Sequence, residues 1–72
     1  MVNVRRLRGK MTECKISVEE LAKKIGIDRA TLYRRLNTDG ESFTIKEADL
    51  IVKILSLTKE EANEIFFNQF VA

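Results

Sequence analysis

The chain has 72 residues, room for one domain and one small core, for which a stability of roughly 3–5 kcal/mol is the prior. It holds one Cys, no His and no Pro, which rules out an internal disulfide and a His/Cys metal site and leaves a composition suited to an all-α fold. The net charge is +2 but uneven: residues 1–36 carry ten Lys/Arg against four acids, a balance of +6, and residues 37–72 carry three against seven, a balance of −4. Such an asymmetry points to one half facing a polyanion, with an ordinary solvated surface as the alternative. No apolar run approaches the ~18–20 residues of a membrane span, and no signal peptide is visible. The lone Cys14 suits a reducing compartment, so a cytoplasmic protein is expected.

In chain order, Asn3 is positioned to cap a first helix running to about Cys14. Val4, Leu7, Met11 and Cys14 form its apolar stripe, and Arg5, Arg6, Arg8 and Lys10 lie opposite. Ser17 with Glu20 reads as a capping box that opens a second helix over about 18–25, burying Leu21, Ala22 and Ile25. Gly26 is the residue expected where a helix stops on a positive φ. Ile27 turns back inward, and Asp28 is an N-cap for a third helix over about 29–37 that carries Leu32 and Leu36 on one side. Ala22 is small, as a close crossing of two helices through so short a turn requires. Residues 17–37 therefore read as a helix-turn-helix within a single domain spanning 1–72.

Asn37 to Ser42 is the evident loop, with Asp39-Gly40 as its turn chemistry, and Phe43 closes the core beneath it. Thr44 with Glu47 is a second capping box, opening a helix with Ala48, Ile51, Val52, Ile54 and Leu55 buried. A third box, Thr58 with Glu61, starts a last helix over about 59–70. Its stripe is Ala62, Ile65, Phe66 and Phe70, while Phe67 and Val71 fall off it. A core this small has little room for them, so Phe67, Phe70 and Val71 are expected to form a surface covered by a partner. Self-association is the simplest choice, because a two-fold dimer matches a palindromic site; a core filler with a frayed end is the alternative.

The run Leu21-Ala22-Lys23-Lys24-Ile25-Gly26-Ile27, followed by Arg29-Ala30-Thr31-Leu32, resembles the Cro/repressor type of helix-turn-helix found in temperate-phage and bacterial regulators. The tail Leu57-Thr58-Lys59-Glu60-Glu61 through Ile65-Phe66-Phe67 is similar to small prophage regulators of Gram-positive bacteria. The resemblance implies a five-helix, lambda-repressor-like domain whose third helix enters the major groove of operator DNA, without a cofactor. It places Arg29, Ala30 and Arg34 on base-reading positions and Thr31 beside the backbone. Arg can donate two hydrogen bonds to guanine, Ala30 can meet a thymine methyl, and Tyr33 can reach a phosphate or a sugar. Ser17 and Asn37, with Arg5 or Lys10 from the first helix, would serve the phosphates.

Three departures from the family pattern stand out. Val18 occupies a position where similar proteins commonly have a Gln that buttresses a base-contacting side chain, and Asp39 and Glu41 put acid where basic or small residues are usual. Arg35 stands where an apolar residue is usual, with Leu36 beside it. These departures support a second reading, that of an antirepressor of the modulator-of-repression kind, which would use Arg29, Tyr33 and Arg34, or the Phe67/Phe70 surface, to bind a phage repressor protein. Catalysis is not expected, since there is no His, no Gly-rich phosphate loop, and no Ser or Cys with a base at useful spacing.

Overall fold

The computed structural model describes residues 2–37 and 43–67, the side chain of Phe67 excepted. Five α-helices follow one another: α1 (Val4–Glu13), α2 (Val18–Ile25), α3 (Arg29–Asn37), α4 (Ile45–Ile54) and α5 (Lys59–Ala62), the last running on as a π-helical turn over Asn63–Phe67. No strand occurs among the described residues. The loop acids Asp39 and Glu41, the Asp39-Gly40 turn, Phe70, Val71 and the expected helix beyond residue 67 lie outside the described residues.

The helix starts follow from local chemistry. Asn3 Oδ1 accepts the Arg6 N–H at 3.1 Å. All three capping boxes form: Ser17, Thr44 and Thr58 accept from the backbone of Glu20, Glu47 and Glu61, whose carboxylates accept in return from the cap N–H groups at 2.9–3.1 Å. Asp28 precedes α3 and its carbonyl accepts from Leu32 N at 3.0 Å.

The helix ends are less plain in the sequence. Gly26 takes φ +80° as expected, and Ile27 N reaches back to the Ala22 carbonyl at 3.0 Å. Two other helices stop in the same left-handed way without a glycine, at Lys15 (φ 55°) and Ser56 (φ 52°). There Ile16 N returns to the Met11 carbonyl and Leu57 N to the Val52 carbonyl, each at 3.0 Å, which satisfies carbonyls the helix leaves open. Ile16 and Leu57 then pack against the core, and that apolar contact offsets the cost of a left-handed residue bearing a Cβ.

Leu7, Leu21, Leu32, Ile51, Leu55 and Ile65 are the large, fully enclosed side chains, joined by Met11, Ala22, Ile25, Leu36, Ala48 and Phe66. Phe43 is partly buried and meets Phe66 edge to face, with ring centres 5.9 Å apart. Three expected core positions differ. Val52 and Ile54 are only half-buried. Cys14 is exposed rather than part of the α1 stripe, because α1 has ended before it; its thiol donates to the Leu55 carbonyl at 3.6 Å.

α2 packs against both α3 and α4, and α1 packs against the turn that ends α5. The α1–α5 pairing is antiparallel: Asn3 N donates to the Ile65 carbonyl at 2.8 Å, Arg6 meets Glu64 at 3.2 Å, and Lys10 meets Glu61 at 2.9 Å. None of the described helices is long and apolar enough to cross a membrane.

Candidate nucleic-acid interface

With Leu32 and Leu36 turned into the core at 0% and 3% exposure, α3 has its other side directed outward. Arg29, Ala30, Tyr33, Arg34 and Asn37 are all exposed there, as the spacing predicted, and Thr31 is half-buried at the edge of this face. Tyr33, at 46% exposure, is one of two large hydrophobic side chains exposed among the described residues; the other is Ile45 on α4. The α2 and α3 starts face each other across an open cleft lined by Ser17, Glu19, Lys23, Ile27, Asp28 and Arg29.

Arg29, Asn37 and Ser17 each have a setting that restricts their use. Arg29 Nη1 lies 3.3 Å from Glu19 Oε2, an ion pair joining the first turn of α2 to that of α3. Asn37 Oδ1 accepts from Arg8 Nη2 at 3.0 Å, so the end of α3 is tied to α1 and Asn37 retains its amide donors. Ser17 was expected to offer its hydroxyl or its backbone N–H to a phosphate. The N–H donates to Glu20 Oε1 at 3.1 Å and is taken; the hydroxyl oxygen accepts from Glu20 N, which still leaves its proton to donate. The Ser17 backbone N–H, then its hydroxyl, holds the Glu20 carboxyl below the usual range.

The basic side of α1 divides in two. Arg5 and Arg8 are exposed. Lys10 is not available as a phosphate contact, because its side chain is only 13% exposed and its ammonium is held by Glu61 at 2.9 Å and Glu13 at 3.8 Å. The hydrogen bond that Lys10 donates to the Glu61 carboxylate raises the Lys10 pKa above its ordinary value.

Arg35 is the residue whose role the sequence did not disclose. Its guanidinium pairs with Glu47 Oε1 and lies 5.4 Å from the centre of the Phe43 ring, with the side chain only 17% exposed. Leu36 fills the core beside it, so the apolar contact has indeed moved one place along and Arg35 has turned toward α4. Burial works against ionisation of Glu47, yet the Thr44 N–H and the Arg35 guanidinium outweigh it and leave the carboxyl below its ordinary value. The same carboxylate thus caps α4 and fastens α3 to it. A Glu at the third position of a capping box was visible in the sequence; its distant arginine was not. Val18, lacking a polar tip, packs partly buried against the core.

Among the described residues no group of acids, Cys or His is arranged to hold a metal ion. No curated protein and no solved structure matches the chain. A family model described as a Cro/C1-type HTH DNA-binding domain matches residues 6–67, a span that takes in α2, α3 and the helices that enclose them. Such domains form a DNA-binding regulatory family, not an enzyme class. With its two-helix motif and an outward arginine face inside that span, the chain belongs to the Cro/C1-type HTH DNA-binding family.

Proposed function

We propose that this protein is a small, Cro-like regulator of phage or prophage origin that binds operator DNA in the bacterial cytoplasm as a homodimer and represses the promoter it occupies. The observation that carries the reading is the division of α3, with Leu32 and Leu36 buried and Arg29, Tyr33 and Arg34 exposed on the opposite side. In this reading α3 enters the major groove, where Arg29, Ala30, Tyr33 and Arg34 face base edges. Ser17 through its hydroxyl, Thr31, Asn37 and Arg5 serve the phosphates. Phe67, Phe70 and Val71 supply the surface between two copies, which would set two reading helices one turn of DNA apart.

The test is selection of bound duplexes from a random pool at about 150 mM salt, where binding by counterion release alone is weakened. An enriched palindrome is the expected result. A pool without enrichment, with binding that fades uniformly as salt rises, would instead support an antirepressor that pairs with a phage repressor protein. That second reading draws on the pairing of Arg6, Lys10, Arg29 and Arg35 with acids of the same chain, which leaves less positive charge for DNA.

A further inference from the structure

We infer that Glu19 and Arg29 together read one G·C base pair of the operator as a single donor–acceptor unit; this rests on the operator-binding reading above. The ion pair is well exposed, with the Arg29 and Glu19 side chains at 62% and 71%, so it contributes little to holding the fold. The capping carboxylate of α2 is the neighbouring Glu20, which leaves Glu19 outside the cap. What the pair does is hold a carboxylate oxygen and a guanidinium side by side in the lining of the open α2–α3 cleft.

A carboxylate brought to a polyanion lowers affinity unless it meets a donor. In duplex DNA the strong donors are on base edges, cytosine N4 and adenine N6 in the major groove. Arg29 has five N–H groups, of which one is used by Glu19, so the remainder can fork onto guanine O6 and N7. Within a G·C pair, guanine O6 and cytosine N4 are hydrogen-bonded to each other at about 2.9 Å. The Arg29 Nη1 to Glu19 Oε2 distance is 3.3 Å, so one member can donate to O6 while the other accepts from N4 without separating. An A·T pair opposes both: adenine N6 presents a donor to the guanidinium, and thymine O4 presents an acceptor to the carboxylate. The reversed C·G pair places each group opposite its like. Glu19 thus rejects A·T and C·G as well as bonding the right pair. T·A offers O4 and N6 in the same order and is refused by Arg29, whose hydrogen bond to N7 gives way to the thymine methyl.

The experiment uses the full chain, wild type and Glu19→Ala, with Arg29→Ala to identify the column of the selected operator that Arg29 reads. Wild type is expected to require G·C in that column, and exchanging it for A·T should weaken binding about 10- to 100-fold. In Glu19→Ala that penalty should shrink at least about fivefold, while binding to unrelated duplexes strengthens because a negative charge has gone. A second probe replaces the cytosine of that pair with 2-pyrimidinone, which lacks the 4-amino group; wild type should lose affinity and Glu19→Ala should not. If Glu19→Ala tightens every duplex equally and leaves the column unchanged, Glu19 is only a repulsive charge and the inference is overturned while the operator reading stands. If wild type enriches no sequence at all, the operator reading fails and takes this inference with it.

Discussion

The α1–α5 layer and the α2–α3 motif are built from similar residues and use their charges in opposite ways. In the first, basic and acidic side chains face each other across two antiparallel helices, and the Lys10 and Glu61 side chains keep only 13% and 21% of their exposure. In the second, Leu21, Ala22 and Ile25 of α2 and Leu32 and Leu36 of α3 make the contact with the core, and Arg29 and Arg34 stay exposed while Arg35 turns to Glu47. The lesson concerns the uneven charge of the sequence. Arg6, Lys10 and Arg35, counted in the basic half, each meet an acid from the acidic half, so part of the asymmetry is internal neutralisation between helices distant in the chain. The basic side chains of that half that stay exposed without meeting the acidic half are spread over three helices and the turn after α1: Arg5, Arg8, Lys15, Lys23, Lys24 and, paired with Glu19, Arg29.

The largest effect expected is on the apolar side of the motif. Leu32→Ala, at a fully enclosed position, should cost about 2–5 kcal/mol in urea unfolding, as much as a domain of this size has, and abolish DNA binding by unfolding the chain. Next comes the interhelix pair: Arg35→Ala should cost about 1–3 kcal/mol, because Glu47 keeps its cap but loses a charged donor in a mostly enclosed site. A retained melting temperature in that variant would show that Leu32 and Leu36 seat α3 without the ion pair. Arg34→Ala, at an exposed position, should change unfolding by no more than about 1 kcal/mol. It should cost about 1–3 kcal/mol of base discrimination at one operator position, read by competition between duplexes. Equal weakening of all sequences would remove Arg34 from the base-reading set.

The smallest effect separates the α1–α5 layer by pH. The Thr58 N–H, then Lys10, lowers the Glu61 pKa from 4.5 to about 2. A carboxyl held below its unfolded value adds stability above pH 4.5, and that contribution is lost as pH falls toward 2. Urea midpoints should therefore drop over this interval in wild type and drop less in Glu61→Gln. An equal drop in both would assign the acid sensitivity to Glu47 and Glu20, whose carboxyls are lowered as well.

Much of the fold was legible because its signals are local. Each capping box spans four consecutive residues, and Leu32 and Leu36 recur at helical spacing, so the helix starts and the motif could be placed from the sequence. Helix ends were harder. Gly26 announces its left-handed turn, but Lys15 and Ser56 adopt theirs because Ile16 and Leu57 gain core contacts beyond them, which no rule about glycine detects. The candidate site was legible in outline, as the outward arginines of α3, and illegible in its pairings. Arg29 with Glu19, Asn37 with Arg8 and Arg35 with Glu47 each join different helices, and only packing brings them together. Lys10 shows the same limit in reverse, since its place on the polar side of α1 gave no sign of Glu61 waiting on α5.

Two of the three capping glutamates have a consequence for how the domain comes apart. Glu47 and Glu61 each seal the start of their own helix and bind a cation on another, whereas Glu20 serves α2 alone. Fraying at the start of α4 or α5 must therefore release a contact with α3 or α1 in the same event, and these starts open only when the neighbouring helix loosens. The start of α2 is tied to α3 through the well-exposed Glu19–Arg29 pair, a weaker hold, so it opens more readily. Motion within the native state is thereby directed to the rim of the cleft that holds Glu19 and Arg29, where a protein adjusting to a groove needs it, and withheld from the helices that keep α3 in place.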